Sequence, residues 1–135
     1  MSADPPFLVV TGMHRSGTSA LAGALSYLGA IAGKNLSKPN RFNERGYFEI
    51  FKLNDLLDHL LVGLGSSWRD ERFLQRGWYE TDIANSVRLS LWSLMLKEYD
   101  LTKLCVMKEP RLCRLLPILK PILIEHNLQA IYLVM

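Results

Sequence analysis

Two clusters of residues in this chain have types and spacings suited to holding an anion. The first runs Val9-Val10-Thr11-Gly12-Met13-His14-Arg15-Ser16-Gly17-Thr18-Ser19, an apolar stretch that opens into a glycine-bounded loop and then a helix-forming segment. Such a turn brings main-chain N–H groups close to a guest, and the helix that follows adds unpaired donors and the positive end of its dipole. Phosphate or sulfate is the natural occupant. Gly12, Gly17 and Ser19 keep the spacing of the GxxxxGK[ST] phosphate loop, but Thr18 stands where that loop has lysine. Arg15 supplies a cation inside the loop instead, and a guanidinium can grip an oxyanion through two parallel hydrogen bonds. His14 can touch a ligand or make a structural hydrogen bond.

The second cluster, Lys108-Glu109-Pro110-Arg111, follows a short apolar run. Phosphoryl-transfer enzymes built on such loops usually carry an aspartate at this kind of strand end to hold magnesium. A lysine stands there instead, which argues for charge stabilisation by side chains, with no metal expected. Sulfuryl transfer fits: the moving SO₃ carries less charge than a phosphoryl group, yet charge still develops on donor and bridging oxygens. Lys108 is therefore the second candidate after Arg15, although an ordinary exposed lysine at a strand end has the same signature. Arg111 can pair with Glu109 or Glu49. An acceptor hydroxyl must also lose its proton, and Glu49 is the best-placed base, with Tyr47 and Phe48 beside it to exclude water. Glu49 equally suits the favourable place of a carboxylate at a helix N-terminus. Asn54 and Asp55, one turn further on, are candidates to orient it or to pair with a cation.

These residues need elements to position them. The bulky run 7–10 behind Pro5-Pro6 predicts a strand, 18–28 a helix ended by Gly29, and 30–47, rich in Gly, Asn, Pro and Arg, a long loop. Leu53, Leu56, Leu57, Leu60, Leu61 and Leu64 make one apolar helix face ended by Gly65. The segment 66–79 reads as an irregular connection or short helix whose Trp68, Phe73, Trp78 and Tyr79 pack inward. Thr81 is a candidate cap for a helix over 82–99 with Ile83, Val87, Trp92, Leu94, Met95 and Leu96 inward. Residues 103–108 read as a second buried parallel strand stopped by Pro110. Over 112–126 the prolines predict a turn first, then a helix starting near Pro117 and kinked or restarted at Pro121. Residues 130–135 form the third strand. Strands separated by helices imply right-handed crossovers and ligands at the carboxyl ends of the strands, where Arg15 and Lys108 both lie.

Composition narrows the function classes. Hydrophobic residues make up 49% and charged residues 21% of the 135, ordinary for a globular domain, and the +3 net charge suits an anionic ligand. No basic run interleaved with aromatics suggests nucleic acid, and no apolar segment is long enough to span a bilayer. The start of the chain, residues 1–6, has no leader pattern, which points to a cytoplasmic protein. Cys105 and Cys113 form neither a CxxC pair nor a metal set with the histidines and read as buried or half-buried free thiols. His59 and His126 read as surface or capping residues.

Taken jointly, the motifs resemble the sulfotransferases that use 3′-phosphoadenosine 5′-phosphosulfate (PAPS), especially the bacterial type with loops of the form GxxRSGTS. Lys108-Glu109-Pro110-Arg111-Leu112-Cys113 looks like that family's K-D/E-P-R segment. Asn43, Gly46, Tyr47, Phe48 and Glu49 are in register with its N-x-x-G-[FY]-[FW]-E pattern. The resemblance implies that Gly12, His14, Arg15, Ser16, Gly17, Thr18 and Ser19 bind the 5′-phosphosulfate of the donor. It also implies that Lys108 lies near the transferred sulfuryl group and that Glu49 acts as base. It further implies an α/β P-loop nucleotide-binding fold with a parallel sheet flanked by helices. Family members continue past the strand matching 130–135 to an arginine and a serine that hold the donor's 3′-phosphate. The sequence therefore reads as one domain over 1–135, the N-terminal part of a larger one and incomplete at its C-terminus, with weak or no donor binding on its own. The expected activity is sulfuryl transfer from PAPS to a hydroxyl or amine of a small-molecule or glycan acceptor. A P-loop kinase or NTPase, and a catalytically silent nucleotide-binding module, remain as alternatives. Residues 30–47 and 66–79 are expected to shape the acceptor pocket, but neither the acceptor nor the oligomeric state is legible in the sequence.

Overall fold

A computed structural model describes residues 4–135. Residues 1–3, part of the leading stretch considered above, lie outside the described residues. The first strand, β1 (Phe7–Thr11), is buried along its whole length because it is the central strand of a three-stranded parallel sheet. Its neighbours are β2 (Cys105–Lys108) on one side and β3 (Ala130–Val134) on the other, with Val10 opposite both Lys108 and Leu133.

Alternate residues of β1 face opposite sides of the sheet, as the period of two requires. Leu8 and Val10 pack with Val106, Ala30 and Ala32 against Leu21 and Leu25 of α1 (Thr18–Tyr27). Phe7 and Val9 join the larger core formed with α2 (Phe51–Gly63), α3 (Asp82–Glu98) and α4 (Leu112–Glu125). The architecture is α/β, a parallel sheet flanked by helices. Ile31 covers part of the outer edge of β2: its N–H donates to the Leu104 carbonyl (2.9 Å) and its carbonyl accepts from Val106 N–H (2.8 Å). No helix among the described residues is long and apolar enough to cross a membrane.

The expected elements are present with small shifts in their ends. α2 buries Leu53, Leu57, Leu60 and Leu61, and Thr81 caps α3 by accepting a hydrogen bond from Ala84 N–H (3.3 Å). Where α2 meets α3, Gly63 lets Ile83 pack close: a Cβ there would lie 2.0 Å from Ile83 Cδ1 and push that side chain aside.

Four expectations are corrected. α4 is one continuous helix through Pro117 and Pro121. Both prolines sit on its exposed side, together with Cys113, four residues before Pro117, so the carbonyls they leave unbonded are on the wet side. Burial of Leu112, Leu115, Ile118, Leu119, Ile122 and Leu123 on the other side holds the helix together. Leu96 is 55% exposed and Leu91 takes the buried place on α3. Of the 66–79 aromatics only Trp78 is buried, in a single 3-10 turn (Trp78–Glu80), while Phe73 is fully exposed. Cys105 is a buried free thiol, but Cys113 is exposed.

Candidate functional site

β1 ends at Thr11 and the chain turns through 12–17 into α1. Gly12 (φ 149°) and Gly17 (φ 92°) take conformations that favour glycine, and Arg15 between them also has positive φ (63°). At Gly12 there is a second constraint: a Cβ would stand 2.6 Å from the Met135 carbonyl oxygen at the end of β3. Ser16 Oγ donates to the Met13 carbonyl across the turn (2.6 Å). Among the described residues, no main-chain N–H from 13 to 17 makes a well-formed hydrogen bond to another main-chain group. Donors left this way are what an anion needs. Thr18, in the position of the phosphate-loop lysine, is buried at 3% exposure.

The tip of β2 lies beside this loop, because Thr11 Oγ1 donates to the Glu109 carbonyl (2.9 Å) and Glu109 N–H to the Val10 carbonyl (3.0 Å). Lys108 is 3% exposed, which excludes the ordinary solvent-facing lysine. Its ammonium forms a buried ion pair with Glu49 and lies 6.0 Å from the centre of the Tyr47 ring. Glu49 stands one residue before the α2 cap, Ile50, and its carboxylate accepts from Lys108 rather than from an α2 N–H. Arg111 pairs with Asp58 of α2 (2.6 Å) and Glu109 (2.9 Å), not with Glu49. Burial opposes the charge of Arg111, but those two carboxylates outweigh it and raise its pKa. Glu109 is fully buried and its Oε2 has no partner, and desolvation pushes its pKa up to about 7 against the pull of Arg111.

The loop, the β2 tip and the 42–49 segment enclose a cavity of about 1030 Å³. His14, Arg15, Gly17, Thr18, Ser19, Glu49 and Lys108 all line it, so three sequence motifs spread over 12–111 converge on one space. Gly12 and Ser16 belong to the same loop but are outside that lining. Ser19 Oγ points to the Tyr47 carbonyl at 3.5 Å. Arg15 and Arg45 line the cavity and pair with no carboxylate among the described residues. His14 meets Trp68 edge to face (4.9 Å), and its pKa is lowered, chiefly by burial and then by Arg111.

Sequence reasoning missed two contributors, Asp58 and Arg114. Asp58 anchors Arg111, whereas Asn54 turns to Ser37 Oγ (3.4 Å) and neither it nor Asp55 pairs with Glu49. Trp68 lines the cavity because Arg114 of α4 holds its loop, donating to Ser66 Oγ (3.1 Å) and to the carbonyls of Ser67 (3.1 Å) and Arg72 (2.8 Å). Asp58 shares its helix face with Asn54 and Asp55, so nothing local set it apart from them. Trp68 lies in the segment 66–79 expected to shape the pocket, but its own place depends on Arg114, far along the chain. Compared with protein-family models, with curated proteins and with solved structures, the chain finds no match in any of the three.

Proposed function

We propose that this chain carries the phosphosulfate-binding and reaction centre of a PAPS-dependent sulfotransferase with a P-loop fold. The observation that supports it is the convergence of Arg15, Lys108 and Glu49 on one cavity at the carboxyl ends of parallel strands. In this reading the loop amides and Arg15 grip the phosphosulfate. The acceptor oxygen attacks sulfur, its proton passes to Glu49, and the S–O bond to the 5′-phosphate breaks with its electron pair leaving on the bisphosphate. Lys108 stabilises the charge that builds on that bridging oxygen. The donor's anion competes with Glu49 for Lys108, so arrival of donor is what frees the carboxylate to act as base.

The test is calorimetry of the chain with 3′-phosphoadenosine 5′-phosphate, against ATP plus magnesium, repeated with Arg15→Ala. Bisphosphate binding should be weak, and the substitution should weaken it further by about tenfold or more, the scale of one lost charge-assisted bidentate contact. Equal affinity before and after removes Arg15 from the site, and preferred binding of magnesium ATP turns the reading towards a kinase or NTPase. One observation favours a second reading, a silent anion-binding module: Glu49 and Lys108 already neutralise each other. Bisphosphate binding without sulfuryl transfer to any hydroxyl or amine acceptor would favour it.

A further inference from the structure

Glu98 closes α3, at the end where a helix presents its carbonyls and where a negative charge opposes the helix dipole. It is nonetheless 1% exposed. Its Oε2 accepts from the main-chain N–H groups of Lys34 (2.7 Å) and Asn35 (2.9 Å), and its Oε1 from Asn35 Nδ2 (3.0 Å). Burial works against the carboxylate's charge, but these bonds outweigh it and hold its pKa below the ordinary glutamate value. All three donors belong to one turn at the start of the long loop that ends at Glu49.

That turn is stitched to the segment carrying Glu49. Ser37 N–H donates to the Glu49 carbonyl (2.7 Å), Phe51 N–H to the Asn35 carbonyl (3.2 Å), and Leu36 bridges Ile50 in antiparallel fashion. The two strips lie so close that a Cβ on Gly33, at φ 120°, would stand 2.8 Å from Ile50 Cγ1. We propose that Glu98 is a positioning residue: its carboxylate pins the turn 33–37 to the end of α3, and that turn in turn sets where Glu49 meets Lys108 in the cavity. Neither Glu98 nor Asn35 lines the cavity, so the effect travels through the main chain of 35–37 and 49–51. An acceptor-only group fits three converging donors, whereas an amide in its place turns an NH₂ towards at least one of them and leaves a buried donor unpaired.

Glu98→Gln tests this, and its activity arm rests on the sulfuryl-transfer reading. The expected result is a fall in kcat of about tenfold with bisphosphate affinity within about twofold of the parent, because the 12–17 loop is not tied to the turn. In a Glu49→Gln background the same substitution should cost less than about twofold more, since residues acting through one another are not additive. Additive losses, or a loss of bisphosphate affinity that matches the loss of kcat, would overturn the proposal. If the parent chain transfers no sulfuryl group, the functional reading fails by itself and the positioning role is decided by NMR. The Glu49 carboxyl carbon resonance should move in Glu98→Gln while the Gly12 and Gly17 amide resonances stay. An unmoved Glu49 resonance sinks the proposal. Should Glu98→Gln not fold, Asn35→Ala, which removes one of the three donors, is read in the same way, with a smaller shift in the same direction expected and no shift counting against.

Discussion

The tips of β1 and β2 lie side by side under one cavity and are built on opposite principles. At the tip of β1 the cation, Arg15, is exposed and unpaired, the backbone is in sparsely populated conformations, and main-chain donors lack main-chain partners. At the tip of β2 each cation has a carboxylate partner: Lys108 pairs with Glu49, and Arg111 with Asp58 and Glu109. A buried ion pair recovers the desolvation of its members only with a partner in place, whereas an exposed guanidinium costs almost nothing to hold ready. In the proposed reading, the difference separates a region open to a phosphosulfate from one whose cations are already paired and that the donor must rearrange. Backbone strain follows the same division. Among the described residues, Arg15 and Phe48 are non-glycine positions with positive φ that line the cavity, while Asn127, the third, follows the end of α4, where that conformation is a common helix stop.

The sharpest way to break the comparison is Lys108→Met. It leaves the Glu49 carboxylate buried without its partner, and the expected loss of stability in urea denaturation is about 3–5 kcal/mol. Adding Glu49→Gln should restore most of that loss while leaving sulfuryl transfer abolished. If the single substitution costs no more than an exposed lysine does, about 0.5 kcal/mol, the β2 tip is not a self-satisfied charge cluster.

Glu109 gives the next largest effect. Its folded pKa of about 7 lies above the ordinary 4.5, so the folded protein binds that proton more tightly than the unfolded chain does. The associated stability is fully present below about pH 4.5 and is lost as pH rises through about 7, up to roughly 3 kcal/mol. His14 acts in the opposite sense, because a lowered histidine pKa makes stability rise with pH, but it contributes equally to parent and variant. Unfolding free energies at pH 4.5 and pH 8 should therefore fall less in Glu109→Gln than in the parent, and parallel slopes would contradict the assignment.

Local signals made much of this legible. The glycine spacing at 12 and 17, the leucine face of α2, the Thr81 cap and the apolar run at β2 each announce themselves within a few residues. Two kinds of feature did not. The prolines of α4 read as a break, because proline removes a hydrogen bond, yet tertiary burial of six apolar side chains outweighs that when both rings face water. Pairings between distant residues were open: Arg111 had Glu109 and Glu49 as candidates and took Glu109 and Asp58, while Lys108 took Glu49, 59 positions earlier in the chain. Glu98 belongs with these: the inward set of 83, 87, 92, 94, 95 and 96 leaves out Leu91, and the buried face of 91, 95 and 98 that calls for donors to this carboxylate emerges only in the structure.

The smallest expected effect tests the open tip itself. Arg15 holds φ 63°, a conformation that costs a side-chain-bearing residue about 1–2 kcal/mol, whereas glycine adopts it freely but loses about 0.5–1 kcal/mol more in chain entropy on folding. Arg15→Gly should therefore leave the protein more stable by about 0.5 kcal/mol and at the same time weaken bisphosphate binding by about tenfold or more. The opposite signs matter more than either size. A residue kept for packing loses stability and function together when it is removed, while one held in strain for a ligand gives up function and gains stability. If urea denaturation shows Arg15→Gly to be destabilised, Arg15 belongs with the self-satisfied charges of the neighbouring tip and the contrast between the two disappears.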